Sequence, residues 1–525
     1  MLVTKLRSMI HRSVLSVLYH LFETMKSSTM NPMLRTSIRS SHLAGVALAV
    51  AVLLPAQIAL AQPSIDRTAQ SASRDFPALL ISDIHFDPFH DPGKVKALAA
   101  APVAEWKSIF AAAPSPDQAA AFDALQDKCH AKGVDTPFAL LNSSLQAMKS
   151  HEPGAKFMLV AGDLIAHNFT CRYAASFPNA APGDYDAFVL KTLAFVAREL
   201  RTTFPGMPVY TALGNNDSNC GDYQLDANSS FLAAAGKLLA EDLSEADRQL
   251  AAKEFAAGGY YSVKMAAPMR NTRLIVLNDV FLSGKYRACG GQSDPTAAND
   301  EMEWMKHQLI QARQAGERVW VVGHIPPGID PYSTIRKAGN ICGSGEPVRF
   351  LASDKMADLM VEYADVVRLG VFAHTHMDEM RLLEPEGDDA SKHRVAVKIT
   401  PSISPVDGNN PSFTIAQVNA ETASIGDYRV IAASNQTGIA TQWATEYDYR
   451  ETYHEPSYTP AAVDELVKRL KADQRAATPE SRSYLRDYFV GDKSAQLSIF
   501  WPQYVCALDN YTAQSYAACS CSAGK

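Results

Sequence analysis

Five short blocks of Asp, Asn and His residues occur in order along this chain, each just after an apolar run. They are Asp83-Ile84-His85, Gly162-Asp163, Gly214-Asn215-Asn216-Asp217, Gly323-His324 and His374-Thr375-His376. The runs before them span 78–81, 156–161, 208–213, 318–322 and 369–372. Each has the length and the Val, Ile and Leu content of a strand buried on both faces. A sixth run, 274–277, leads into Asn278-Asp279. Helical patterns at 137–150, 185–200, 231–255 and 299–314 separate the runs. Strands alternating with helices imply a layered α/β fold with substantial parallel sheet. In such folds ligands bind at the carboxyl ends of strands, which is where all five blocks fall.

Carboxylate oxygens and imidazole nitrogens are the donors that a pair of borderline divalent ions needs. On an extended segment residues i and i+2 face the same way, so Asp83 with His85, and His374 with His376, can each present two donors together. Asp163 stands alone after its strand and suits a bridging carboxylate, while Asn215 offers a neutral amide oxygen. One metal site is therefore expected from Asp83, His85, Asp163 and His376, and a second from Asp163, Asn215, His324 and His374. Two ions about 3.5–4 Å apart form a clamp for displacement at phosphorus, with a bridging water or hydroxide as nucleophile. Any one block alone is an ordinary turn. Five in order, all at strand ends, point to a dinuclear hydrolytic centre.

The 525 residues suffice for a large catalytic domain with additions. The net charge is −7, and with no basic stripe nucleic-acid binding by charge is not expected. Arg35 and Arg39 precede an apolar stretch from Leu43 to Leu54, and Ala59-Leu60-Ala61 follows. This is the pattern of a secretory signal cleaved before Gln62. The stretch is short for a spanning helix and meets Pro55. The mature chain is thus expected to be secreted or periplasmic, without a membrane span. A start at Met33 would give a more usual signal length. All eight cysteines lie in the mature part and none forms a C-x-x-C pair. That favours disulfides over a structural zinc knuckle, although spacing does not select the pairing. The expected organisation is a signal with an upstream extension over 1–61, a linker over 62–75 and a catalytic domain over 76–452. A small helical, disulfide-tied C-terminal region follows over 453–525.

The order of the five blocks resembles that of the calcineurin-like metallophosphoesterase superfamily. Ser82 to Pro88, Ala161 to His167, Gly323 to Gly328, Pro401 to Pro411 and Tyr504 to Cys519 are similar to blocks of the acid sphingomyelinase-like phosphodiesterases. The likeness extends over about residues 76–521. It implies a four-layer α/β/β/α sandwich, two mixed sheets between helices. It also implies two zinc ions and hydrolysis of phosphodiesters or phosphoanhydrides, with small nucleotide-like or phospholipid-headgroup-like substrates. Ligand chemistry alone also admits manganese or iron. Between Gln62 and Phe76 there is no room for a saposin domain, so the chain is more similar to the saposin-free members.

One departure stands out. Where the family carries a histidine that assists catalysis, this chain has Asn216. An asparagine can donate a hydrogen bond to phosphate but cannot deliver a proton at neutral pH. His167, four residues after Asp163, stands where the resembling family also has a histidine near the leaving group. It is expected to be the proton donor, the plainer alternative being a hydrogen-bonding role only. Asn278-Asp279 reads as a turn. Trp304 and the aromatic segment 447–458 either stack a base or pack in the core. Two rival readings share the metal core: a phosphomonoesterase, and a weakly active metal-binding protein that has lost the usual histidine.

Overall fold

Runs such as Met158–Ala161 and Val209–Ala212 are buried at every position, as in a sheet covered on both faces. They pair in parallel at one side of such a sheet. The structure, a computed structural model, describes residues 75–338, 340–385, 393–491 and 495–522. The expected signal and the linker up to residue 74 lie outside the described residues. Twelve strands are present among them: β1 (Asp75–Ile81), β2 (Met158–Ala161), β3 (Val209–Ala212), β4 (Tyr261–Lys264), β5 (Thr272–Val276), β6 (Arg318–Val322), β7 (Val367–Phe372), β8 (Glu379–Leu383), β9 (Val395–Ile399), β10 (Ser412–Asn419), β11 (Ile425–Ala433) and β12 (Trp443–Asp448).

They build two mixed six-stranded sheets, in the orders β12-β11-β10-β1-β2-β3 and β4-β5-β6-β7-β9-β8. In the first, β1, β2 and β3 run parallel, with β10, β11 and β12 added antiparallel. In the second, β5, β6, β7 and β9 run parallel, flanked by antiparallel β4 and β8. The sheets face each other. Phe157 meets Trp320 of β6 edge-on at 5.9 Å, and the Trp320 indole donates to Ala423 O at 2.7 Å. The expected strands of the catalytic domain are all here. β4, β8 and β12 escape a reading by apolar runs because they carry polar residues. In β8, Glu379 and Arg381 are buried as a pair 3.1 Å apart.

Helices cover both sheets. Pro295–Ala315 packs on β5 and β6, and Pro460–Ala472 on β8 and β9. Phe138–His151 and Asp184–Thr203 pack on each other within the same core. This is the layered α/β arrangement, two sheets flanked by helices, that the sequence implies. The single helical stretch expected over 231–255 is two helices, Ser230–Leu239 and Glu245–Gly258. The break comes at Ser244, whose hydroxyl accepts from Asp247 N and caps the second helix. Tyr447, Tyr449, Tyr453 and Tyr458 are buried core residues, and Trp304 lies on Tyr260, so neither aromatic group presents a base-stacking platform. All eight cysteines are paired, as Cys129–Cys171, Cys220–Cys289, Cys342–Cys521 and Cys506–Cys519. No helix of the described residues is long and apolar enough to cross a membrane.

Candidate metal centre

The ligand blocks leave their strands through unusual backbone. Asp83, His85, Asp163, His374 and His376 have φ of 45°, 43°, 53°, 73° and 65°. Side chains with a Cβ rarely adopt this left-handed region, at a cost of about 1–3 kcal/mol each. Strain gathered at five residues of one rim marks a site whose geometry is set by chemistry and held by the surrounding fold. The glycines of the motifs have a related cause. A Cβ on Gly214 would overlap the Asp163 carboxylate, and one on Gly323 would overlap Asp279. Both positions must be bare for a carboxylate to lie against the chain.

All seven expected ligands converge. Nε2 of His85 lies 3.2 Å from Nε2 of His376, 3.4 Å from Asp163 Oδ2 and 3.8 Å from Asp83 Oδ1. His376 Nε2 is 3.4 Å from the same Asp83 oxygen. On the other side, His324 Nε2 lies 3.2 Å from Asp163 Oδ2, 3.1 Å from Asn215 Oδ1 and 3.2 Å from His374 Nδ1. Asp163 Oδ2 thus belongs to both groups. Donors about 2.0–2.1 Å from a tetrahedral ion stand roughly 3.3–3.4 Å apart; Asp83, His85 and Asp163 converge near that spacing, and on the other side His324 stands at it from each of its three neighbours.

Three of the other ring nitrogens are anchored by hydrogen bonds, as ligand imidazoles need, and the fourth faces a carboxylate. His85 Nδ1 donates to Ile165 O at 2.9 Å and His324 Nδ1 to Ala161 O at 2.8 Å. His374 Nε2 meets the Tyr223 hydroxyl at 3.1 Å, and His376 Nδ1 faces Asp407 at 3.6 Å. These anchors turn nitrogen lone pairs toward one another, which is unfavourable unless a cation lies among them. Asp83 Oδ1 is buried without any hydrogen-bond donor, a costly state that a metal would relieve. The residues present therefore fit a pair of divalent ions.

The electrostatics agree. Burial works against charge on His324 and His85, but Asp163 outweighs it and lifts them to about 10 and about 9. Burial also opposes ionisation of Asp83, yet His376 and its neighbours hold it at about 2. His374 and His376 go the other way, to about 3 and about 4, through burial. The centre is thus a buried demand for positive charge with two neutral imidazoles at its edge.

His167 and Asn216 also reach the centre. The His167 ring stacks on His85 with centroids 3.8 Å apart. One of its nitrogens lies within 4.8 Å of a ring nitrogen of His85 and of one of His376. Asp135 accepts from His167 Nδ1 at 2.9 Å, leaving Nε2 as the nitrogen available for proton transfer. Asn216 does not stand free to meet phosphate. Its backbone N and side-chain Nδ2 donate to the two oxygens of Asp163, both at 2.8 Å.

Sequence reasoning missed three supporting carboxylates. Asp217 accepts from Leu164 N, Ile165 N and Gly214 N at 2.7, 3.1 and 2.9 Å, locking the second and third blocks together. Burial and the nearby Asp163 raise it to about 7. Asp279, read as a turn, accepts from His324 N and Ile325 N at 2.8 and 3.0 Å and fixes the fourth block. Asp135 lies outside all five motifs, fully buried, and is held by Ser404 Oγ at 3.1 Å and Arg172 at 3.6 Å.

The family model described as calcineurin-like phosphoesterase matches residues 76–378. Acid sphingomyelinase-like phosphodiesterase 3b of Mus musculus is 26% identical over 455 residues, covering 84% of this chain and 88% of that protein. Cyclic GMP-AMP phosphodiesterase SMPDL3A of Mus musculus is 25% identical over 400 residues, 73% of this chain and 81% of its own. Among solved structures, a dimetal phosphatase from Danio rerio aligns with 70% of this chain and 98% of its own, at a TM-score of 0.37 and 12% identity.

Proposed function

The chain belongs to the calcineurin-like phosphoesterase family, and from that premise we propose that it is an exported phosphodiesterase that works with two divalent ions, zinc first. Its substrates would be small phosphodiesters or phosphoanhydrides, nucleotide-like or headgroup-like. The observation that carries the reading is the sharing of Asp163 Oδ2 between two groups of donors, one with His85 and one with His324, at 3.4 and 3.2 Å. The family membership and the relatives named as phosphodiesterases support the reaction class. Four disulfides and the signal pattern support export.

Asp83, His85, Asp163 and His376 would hold one ion, and Asp163, Asn215, His324 and His374 the other. When bound, the ions supply Lewis-acid polarisation of the phosphoryl group and acidify a water. The protein's own groups do the rest. Asn215 is oriented by its Nδ2, which donates to Asp222 at 2.7 Å, so that its amide oxygen faces the centre. His167, aligned by Asp135 and by stacking on His85, holds a proton for the departing oxygen. Asn216 supplies no proton, and its hydrogen bonds to Asp163 compete with ions for that carboxylate. A slower enzyme, most handicapped with poor leaving groups, is the consequence.

The test is Asp163→Asn. It removes the shared charge, so zinc-dependent phosphodiester hydrolysis should vanish and zinc uptake should fall. Retained turnover with normal zinc content would refute the dinuclear reading. Added phosphomonoesters separate the monoesterase alternative, which predicts a higher kcat/KM for them than for diesters.

A further inference from the structure

Beside His374 the wall of the site comes from two loops far apart in sequence. One follows β3 and carries Asn215 and Tyr223; the other follows Asp279 and carries Lys285. Cys220–Cys289 joins them covalently. Tyr223 N donates to Asn215 O at 2.9 Å, Arg287 N to Tyr223 O at 3.0 Å and Leu225 N to Arg287 O at 3.1 Å. Tyr223 itself sits at φ 57°, a strained conformation for a bulky residue. In that pose its hydroxyl is 3.1 Å from His374 Nε2. Lys285 Nζ lies 3.2 Å from the same hydroxyl and 4.6 Å from the ring centre.

A tyrosine hydroxyl has one proton and two lone pairs, and an ammonium only donates. With His374 Nδ1 facing the centre, Nε2 carries the ring proton and donates to Tyr223. Lys285 donates to the second lone pair. The tyrosine proton is then left over, together with two ammonium protons. These donors stand about two hydrogen-bond lengths from a residue of the metal centre. Among the described residues no carboxylate forms an ion pair with Lys285, whose polar contact is this hydroxyl. Burial lowers the Lys285 pKa; Asp222 opposes this, and Lys337 adds to it. Lys285 is exposed, so its ammonium is open to an incoming anion.

We propose that Lys285 and Tyr223 form an anion subsite next to the metal centre. It selects substrates with a second phosphate beside the scissile one over those with a cationic head group. The inference rests on the phosphodiesterase reading and deepens it. A neighbouring phosphate meets ammonium and hydroxyl protons at this position. A trimethylammonium group meets like charge and finds no acceptor. The disulfide between the loops holds the two donors in place before substrate arrives, which favours binding.

The experiment compares three probes on the zinc-loaded full chain: ADP, bis(p-nitrophenyl) phosphate and p-nitrophenylphosphorylcholine. In Lys285→Gln the ratio of kcat/KM for ADP to that for bis(p-nitrophenyl) phosphate should fall at least tenfold, mainly through KM. The same ratio for p-nitrophenylphosphorylcholine should rise. Lys285→Arg should restore the ADP ratio to within about threefold, which a merely structural role would not require. An ADP ratio unchanged within twofold in Lys285→Gln overturns the subsite while leaving the phosphodiesterase intact. If the parent protein hydrolyses none of the probes, the phosphodiesterase reading falls. ADP binding by calorimetry then decides the subsite: tenfold weaker binding in Lys285→Gln supports it, and equal binding refutes it.

Discussion

Asp135 grips His167 at two points, accepting from its ring Nδ1 at 2.9 Å and from its backbone N at 2.8 Å. The carboxylate is fully buried, whereas the His167 side chain is 30% exposed. A buried acceptor thus aims a solvent-reaching imidazole. His167→Ala should lower kcat/KM about 10²–10³-fold for alkyl leaving groups and much less for p-nitrophenolate, since only the former need a proton. Asp135→Asn keeps the size of the side chain but loses its charge, and should give a smaller loss of the same leaving-group dependence. A leaving-group series on the three proteins checks this. Equal losses at every leaving-group pKa would remove His167 from the proton-transfer role.

The same pair makes stability depend on pH. Burial alone would raise the Asp135 pKa, but the charge and hydrogen bond of His167 hold it well below the usual carboxylate range. A depressed folded pKa stabilises fully above the unfolded value, near 4, and the benefit is lost as pH falls through the folded value. Metal-free protein should therefore lose about 1–3 kcal/mol more stability between pH 5 and pH 2 than Asp135→Asn does. Urea unfolding at each pH measures the difference. Parallel acid limbs for the two proteins would contradict the assignment.

Asn216 stands where the resemblance leads to the expectation of a histidine. Its amide is committed to Asp163 Oδ2. Asn216→His removes that hydrogen bond and adds a group able to carry a proton. Turnover of substrates with poor leaving groups should rise about tenfold or more, with little change for bis(p-nitrophenyl) phosphate. A kinetic comparison of the two substrates decides it; a loss on both would show that Asn216 is matched to this centre.

The legible part of the site was the part written locally. Each block of candidate ligands follows a strand, so Asp83, His85, Asp163, Asn215, His324, His374 and His376, which the fold brings together, could be picked out by position alone. Asp135 could not. It lies in a loop without periodicity and reaches His167 through the pairing of Phe86 with both Thr136 and Ile165. Asp217 stood inside a quoted block, yet spacing says nothing of the amides of Leu164 and Ile165 that it accepts from. Tyr223 and Lys285 meet because Cys220 pairs with Cys289, a choice that cysteine spacing leaves open. β8 was hidden because Glu379 and Arg381 neutralise each other inside the fold.

The left-handed backbone at the ligands makes a further prediction. Asp163, at φ 53°, is held by the Asp217 bonds to Leu164 N, just after it, and to Gly214 N of the third block. Asp217→Ala leaves three buried amides without their acceptor, at about 1–3 kcal/mol each at most. The melting temperature should fall by several degrees and zinc affinity should weaken at least tenfold. Calorimetry and a competitive chelator titration check both. Weaker zinc binding without loss of stability would place Asp217 at the metal rather than behind it.

The most direct test of the whole account is hydrolysis of bis(p-nitrophenyl) phosphate by chelator-stripped mature protein as zinc is added back. Its leaving group needs little help from a proton donor, so the assay reads the metal centre and not His167 or Asn216. The account predicts no turnover without metal and a rise to a plateau near two zinc ions per chain. A folded, zinc-loaded protein without turnover, or turnover indifferent to the chelator, would contradict it.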